Sequence, residues 1–245
     1  MNERLKSILV IIATIGVLMV NSIASKGYIN NVTTGEISDK YPTFVTPAGY
    51  AFAIWGLIYL GLIAFSLYQL LPSKTDDYRQ IRTVYILSCA ANCAWIYFWH
   101  YEMILASLAV IFVLLGTLVF INLNLRKSNS TAETVLARVP FAIYFGWVTV
   151  ATILNFTIAL VYLGIKSSET VSIILACVLI AVAVILGALI RPIISNSVYP
   201  VAIAWALTAI AVKQSGKTAI VIFCAFGVIA LLLSALSFVL KDNPK

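Results

Sequence analysis

Two short stretches of this chain place an amide and large aromatic rings on one side of a helix. Asn92, Trp95 and Trp99 recur at i, i+3, i+7, and Tyr144, Trp147, Ala151 and Asn155 follow the same kind of spacing. A helix repeats every 3.6 residues, so each set shares a face. Trp55 and Trp147 each sit about eight residues into an apolar run, about 12 Å deep at 1.5 Å per residue. A cleft walled by such faces suits a large, flat, apolar ligand, with amides to fix its orientation. Trp99, at the end of its run, reads as a residue of the interfacial belt. A second reading stands beside the first: the rings are ordinary aromatic packing, and the amides hold helices together through hydrogen bonds.

The chemistry that is missing is as informative. The chain has one histidine, His100, which falls with Glu102 in a short polar turn. Arg138 falls at a helix start and Lys213 at a helix end, leaving the apolar runs essentially free of ionisable groups. Proton pathways, and metal- or base-dependent hydrolysis within the membrane, need such groups. No catalytic residue is therefore expected. Cys89, Cys93, Cys177 and Cys224 all lie inside apolar runs without zinc-like spacing, so they read as small packing residues and no metal ligand is expected.

The elements that must position these residues follow from composition. Of the 245 residues, 62% are hydrophobic and 10% charged, and the mean hydropathy is +1.03. A soluble domain carries about 25% charged residues. Continuous apolar runs near 20 residues long point to helices crossing a hydrocarbon core, since barrel strands would alternate over about 10 residues. The expected fold is an all-α integral membrane protein with about eight spans: 5–24, 47–71, 83–99, 103–125, 139–163, 170–190, 198–212 and 218–240. The first span reads as a retained helix, because no small-x-small cleavage site and soluble domain follow it. Pro47 fits a first helical turn, and Pro72 and the pair Arg191–Pro192 mark span ends. The longest polar stretch, 25–46, follows the first span, and long ordered loops are often functional. The short polar segment 126–138 reads as a loop.

The net charge is +7, but the basic residues stand in short loops without a basic run, which points to membrane orientation and not to nucleic acid. With eight spans, eleven of the sixteen basic residues fall on the side of the termini: Arg4, Lys6, Lys74, Arg79, Arg82, Arg126, Lys127, Arg138, Arg191, Lys241 and Lys245. Lys26, Lys40, Lys166, Lys213 and Lys217 fall on the other. The expectation is a multi-pass protein of the cell membrane with both termini cytoplasmic and the long loop outside. No internal repeat supports an inverted-repeat transporter.

Three segments carry a resemblance. Residues 147–155 read WVTVATILN, residues 91–99 read ANCAWIYFW, and residues 46–59 read TPAGYAFAIWGLIY. In order, and in the second, third and fifth spans, they resemble the motifs of the translocator-protein family (TspO/MBR), the tryptophan-rich sensory proteins. The resemblance covers about residues 5–163. It departs at the family's double proline, here the single Pro47, at the serine after Trp95, here Ile96, and at a proline before Trp147, here displaced to Pro140. It implies a five-helix bundle over 1–163 enclosing a pocket beneath the first loop, with 164–245 as an added three-helix transmembrane extension outside the pocket. By position it carries over Trp55, Tyr59, Asn92, Trp95, Trp147, Ala151 and Asn155 as ligand-binding residues. It implies a binding, sensory or transport protein for a tetrapyrrole-like ligand such as porphyrin or haem, with no cofactor required, the lipid bilayer as partner, and room for a homodimer. The alternative is a transporter of another small solute. Enzymatic activity is not expected, apart from photochemistry on a bound porphyrin.

Overall fold

The computed structural model describes residues 2–71, 78–126, 130–165 and 167–241. Pro72, expected to end the second span, and Lys74, Lys127, Lys166 and Lys245 of the charge count lie outside the described residues. The described residues are mostly helical and hold no strand. The helices are α1 (Glu3–Ser25), α2 (Thr34–Lys40), α3 (Ile54–Tyr68, entered through a 3-10 turn Gly49–Ala53), α4 (Arg79–His100), α5 (Ile104–Leu125), α6 (Thr131–Glu133), α7 (Val139–Tyr162), α8 (Glu169–Ile194), α9 (Val198–Lys213) and α10 (Thr218–Lys241). The one-turn α6 runs through a π turn, Thr134–Arg138, straight into α7. Among the described residues, seven helical segments are long and apolar enough to cross a membrane. The eighth apolar helix, α9, has 16 residues. At 1.5 Å per residue it is about 24 Å long, short of a core about 30 Å thick.

Helix ends differ from the sequence expectation where a polar group finds a partner. The expected loop 126–138 becomes helix from Thr131, because Ser130 caps it by accepting from the backbone N–H of Glu133. Pro192 does not close α8; the helix continues to Ile194 and stops at Ser195 in the left-handed region, φ 51°. The guanidinium of Arg138 donates to the carbonyls of Ile194 and Ser195, and Asn196 donates back to Arg138 O at 3.0 Å. Pro47 precedes a 3-10 turn instead of opening an α-helix.

The expectation that the spans hold essentially no ionisable group is also corrected. Arg82 lies inside α4 with no solvent exposure. Its Nε donates to Gln69 Oε1 at 2.7 Å, and a further nitrogen donates to Gln69 O at 3.0 Å, which caps the end of α3. Another reaches Glu3 at 3.3 Å. Glu133 is buried and accepts from Tyr78 OH at 2.8 Å. A charged side chain survives burial when all its donors find acceptors, and such pairing is invisible to a hydropathy count.

Helices α1, α3, α4, α5 and α7 form one bundle, while α8, α9 and α10 form a layer that packs on it chiefly through α9 against α7. Helix α7 is the hub: 78% of its membrane window is buried, against 28–50% for the other spans. Backbones approach closely where a side chain is missing. A Cβ on Gly146 of α7 would lie 2.6 Å from Tyr199 O and 2.8 Å from Ala202 Cβ of α9. Gly61 of α3 meets Pro140 in the same way at 2.5 Å. Gly56, by contrast, faces open space. Gly146→Ala should therefore cost about 1–3 kcal/mol by overpacking. Gly56→Ala should be neutral or stabilising by up to about 1 kcal/mol through helix propensity. Thermal unfolding of the two variants in detergent checks this; equal effects would show that the α7–α9 seam tolerates the methyl.

Candidate functional site

The site is built where α3, α4 and α7 converge beneath α2. Four rings form a ladder: Tyr59 on Trp55 (centroids 5.6 Å, 22° between planes), Trp55 on Trp95 (6.5 Å, 27°), and Trp95 on Trp99 (5.6 Å, 22°). The Trp147 ring meets Trp55 edge-on at 6.4 Å and Phe52 at 5.8 Å. Offset-stacked and edge-to-face pairs of this kind are the favoured aromatic geometries. Between them lies a narrow cleft of about 30 Å³, lined by residues that include Trp55, Trp95, Trp147, Ala151 and Asn155. Five of the seven expected site residues thus share one cleft.

Tyr59 and Asn92 stand outside its lining. Tyr59 backs Trp55, and Asn92 lies deeper, donating to Tyr144 OH at 2.8 Å and accepting from Asn21 Nδ2 at 2.7 Å. Asn155 is bonded as well as exposed to the cleft. Its Oδ1 accepts from Trp95 Nε1 at 3.2 Å and from Ser107 Oγ at 3.1 Å, and its Nδ2 donates to Ala151 O at 2.9 Å. Both carbonyl lone pairs are used, and one amide N–H is left.

Several lining residues were not foreseen: Thr34, Ser38, Pro47, Phe52, Trp99, Val150 and Leu154. Trp99 is 2% exposed, so it is no belt residue, and its Nε1 donates to Thr34 O at 3.1 Å. Its place on the Asn92–Trp95 face carried the signal. Thr34 and Ser38 carried none, because they reach the cleft only through the fold of the loop. Ser38 is 1% exposed, and its hydroxyl finds no protein partner.

The loop closes as a lid. Thr33 and Glu36 form a reciprocal capping box that starts α2. At the other end Glu102 accepts from Lys40 Nζ at 2.5 Å and from Tyr41 OH at 2.9 Å, while Asn30 donates to His100 O at 2.8 Å. Helix α9 holds the far edge: Trp205 Nε1 donates to Ala51 O at 3.1 Å, Ala48 N donates to Ala209 O at 3.0 Å, and Lys213 pairs with Asp39 at 3.0 Å.

A family model described as TSPO-like protein matches residues 7–237. The chain belongs to the TSPO-like family. The match runs past residue 163, where the resemblance in the motifs stopped, and takes in α8, α9 and most of α10. No curated protein and no solved structure shows a significant match to this TSPO-like chain. Among its described residues, no group of three or more His, Cys, Asp or Glu is placed to hold a metal ion.

The lid has a pH dependence of known sign. Hydrogen bonds from Lys40 and then Tyr41 hold the Glu102 carboxyl below its ordinary value of 4.5. Burial and the bond to Glu102 push the Tyr41 hydroxyl up to about 12. A depressed carboxyl contributes stability that is fully present above its unfolded value and is lost as pH falls through the folded one. The lid contact should therefore hold at neutral pH and weaken below about 4.5. Glu102→Gln should mimic the acid form, raising hydrogen exchange in 34–40 by the equivalent of about 0.2–1 kcal/mol, as for a surface ion pair. Unchanged exchange in both the variant and acid would show that other contacts hold the lid.

Proposed function

We propose that this TSPO-like membrane protein binds a flat, hydrophobic, tetrapyrrole-like ligand in the tryptophan cleft and acts as a sensor through its lid. The observation that carries the reading is the ring ladder itself, joined to a buried, unpartnered Ser38 hydroxyl on the underside of α2. Stacked indoles offer broad faces to a macrocycle, and a buried hydroxyl without a partner is costly until something bonds it.

The closed cleft of about 30 Å³ leaves space for roughly one or two waters, whereas ligand pockets run to about 300–1,000 Å³. Binding therefore requires the lid to lift and the rings to part. A ligand that favours the open form shifts the population toward it, which is the physical content of a sensor. The ion-pair and carboxylate contacts that close the lid lie at its rim, and lifting it also releases the Trp99 Nε1–Thr34 O bond. No residue lining the cleft is a His, Cys, Met or Tyr. The tryptophan rings would hold a flat ligand there by stacking.

Porphyrin fluorescence titration of the purified chain tests the reading. Trp147→Phe should weaken binding by about two- to tenfold, the loss of part of a stacking contact. Ser38→Ala should weaken it as well, with circular dichroism unchanged. Unchanged affinity in both variants, with the fold intact, would sink the assignment and leave the ladder as packing.

We also propose that both termini lie in the cytoplasm, which follows from the distribution of basic residues over eight apolar helices. Reporter tags at the two ends should be found on the same side of the membrane. A C-terminal tag outside would mean that α9, too short at 16 residues to cross the full core, enters without crossing.

A further inference from the structure

Above the tryptophan cleft, at the end of α7, lies a second and much larger cavity of about 660 Å³. Its walls come from the loop segment 42–45, from α7 between Thr157 and Leu160–Val161, from Ile165 and Ser167 beyond it, from Val171 to Ala176 of α8, and from Gln214 after α9. It exists because α8 touches α7 only lightly while α7 packs on α9 and α8 packs on α10 and α9, so the two helices stand apart at this end. The volume falls within the range of small-molecule sites.

The chemistry of the walls is graded. Valine, leucine, isoleucine and alanine side chains line the part along α7 and α8. The polar groups gather toward the helix ends: Thr43, Ser167, Ser172 and Gln214. Ser167 and Ser172 share one hydrogen bond at 2.7 Å, Thr43 shares one with Thr46 at 3.0 Å, and Gln214 donates to Thr43 O at 3.3 Å. A hydroxyl has one donor and two acceptor positions, so each hydroxyl pair retains a donor and acceptors for a guest. Among the described residues, none that lines the cavity is charged. Of the lysines nearest in sequence to Gln214, Lys217 stands over the ring of the lining residue Phe44 and is paired with Glu169, and Lys213 is paired with Asp39.

We propose that this cavity is a second ligand site, taking a neutral single-chain amphiphile with a hydroxyl-bearing head, such as a monoacylglycerol. The tail lies along Leu160, Val161, Val171 and Leu175, and the head bonds the Ser167–Ser172 pair and Gln214. Among the described residues, an anionic head meets at the Phe44 edge only Lys217, whose charge is already paired with Glu169, and a tetrapyrrole finds no ring to stack on except Phe44. The loop segment that walls the cavity leads directly into Thr46 and Pro47, and Pro47 lines the tryptophan cleft. A guest there bears on the root of the lid.

The test uses the full chain in phosphatidylcholine nanodiscs, with a monoacylglycerol carrying a photoactivatable group in its chain. Labelling should concentrate on 157–165 and 171–176 and be competed by unlabelled monoacylglycerol. Val161→Trp, at a position 40% exposed and so tolerant of bulk, should fill the cavity and reduce labelling by about tenfold. Ser167→Ala with Ser172→Ala should weaken competition several-fold without touching the apolar wall, and Trp147→Phe should leave labelling unchanged. Labelling spread evenly over all lipid-facing helices and insensitive to Val161→Trp overturns the proposal in favour of ordinary bilayer lipid. A fatty-acid anion of the same chain competing as well as the neutral amphiphile overturns the choice of head. A porphyrin displacing the label, with affinity indifferent to Trp147→Phe, overturns both ligand assignments together.

Discussion

In hydrocarbon a polar side chain has no water to turn to, and the interior of this bundle is organised by that constraint. Three polar layers cross it. Thr14 of α1 bonds Ser66 of α3 and Tyr85 of α4, each at 2.6 Å. Deeper along α4, Asn92 joins Asn21 of α1 to Tyr144 of α7. Beneath the lid, Asn155 joins Trp95 of α4 to Ser107 of α5. Each layer fixes helices that apolar contact alone would let slide, because lipid tails compete with leucine on equal terms. The aromatic ladder stands in register because the amides above and below it do.

The three later helices are tied into the same logic. Gly146 lets α9 lie against α7 one residue from Trp147, and Arg138 with Asn196 stitches the start of α7 to the end of α8. From that seat α9 reaches over to hold the 3-10 turn that carries Phe52, through Trp205 and Ala209. None of α8, α9 or α10 lines the tryptophan cleft, yet α9 sets the position of one of its walls. That the family match extends through them agrees with a unit in which these helices belong to the frame.

The contrast between the two cavities bears on mechanism. The cleft is full of rings and nearly closed, while the space beside it is large, apolar and rimmed with hydroxyls. In the proposed function, a closed aromatic site under a lid held by the partly buried Glu102 and a few rim contacts would have two arrangements. Packed rings and amides resist gradual deformation, so the lid is either seated or lifted. Binding energy in the proposed function would go into that choice.

The sequence by itself determined the class, the apolar helices and five of the twelve residues that line the candidate cleft. Continuous apolar runs can satisfy their backbone in lipid only as helices, and the 3.6-residue repeat already put Asn92 with Trp95, and Trp147 with Asn155. It did not determine which of those side chains see the cleft. Asn92 turned out to be consumed by Asn21 and Tyr144, a pairing that depends on how far α1 and α7 slide along α4. Trp99, read as a boundary residue despite its place on the Asn92–Trp95 face, is buried because α2 folds back over it, and Ser38 joins the site for the same reason. Arg82 looked like a loop cation and is buried, because Gln69 and Glu3 arrive from two other helices to meet its donors. The local code fixes which face of a helix a residue occupies; only the packing of helix against helix decides what that face meets, and in a medium without water that meeting settles whether a polar group is structural or free to bind.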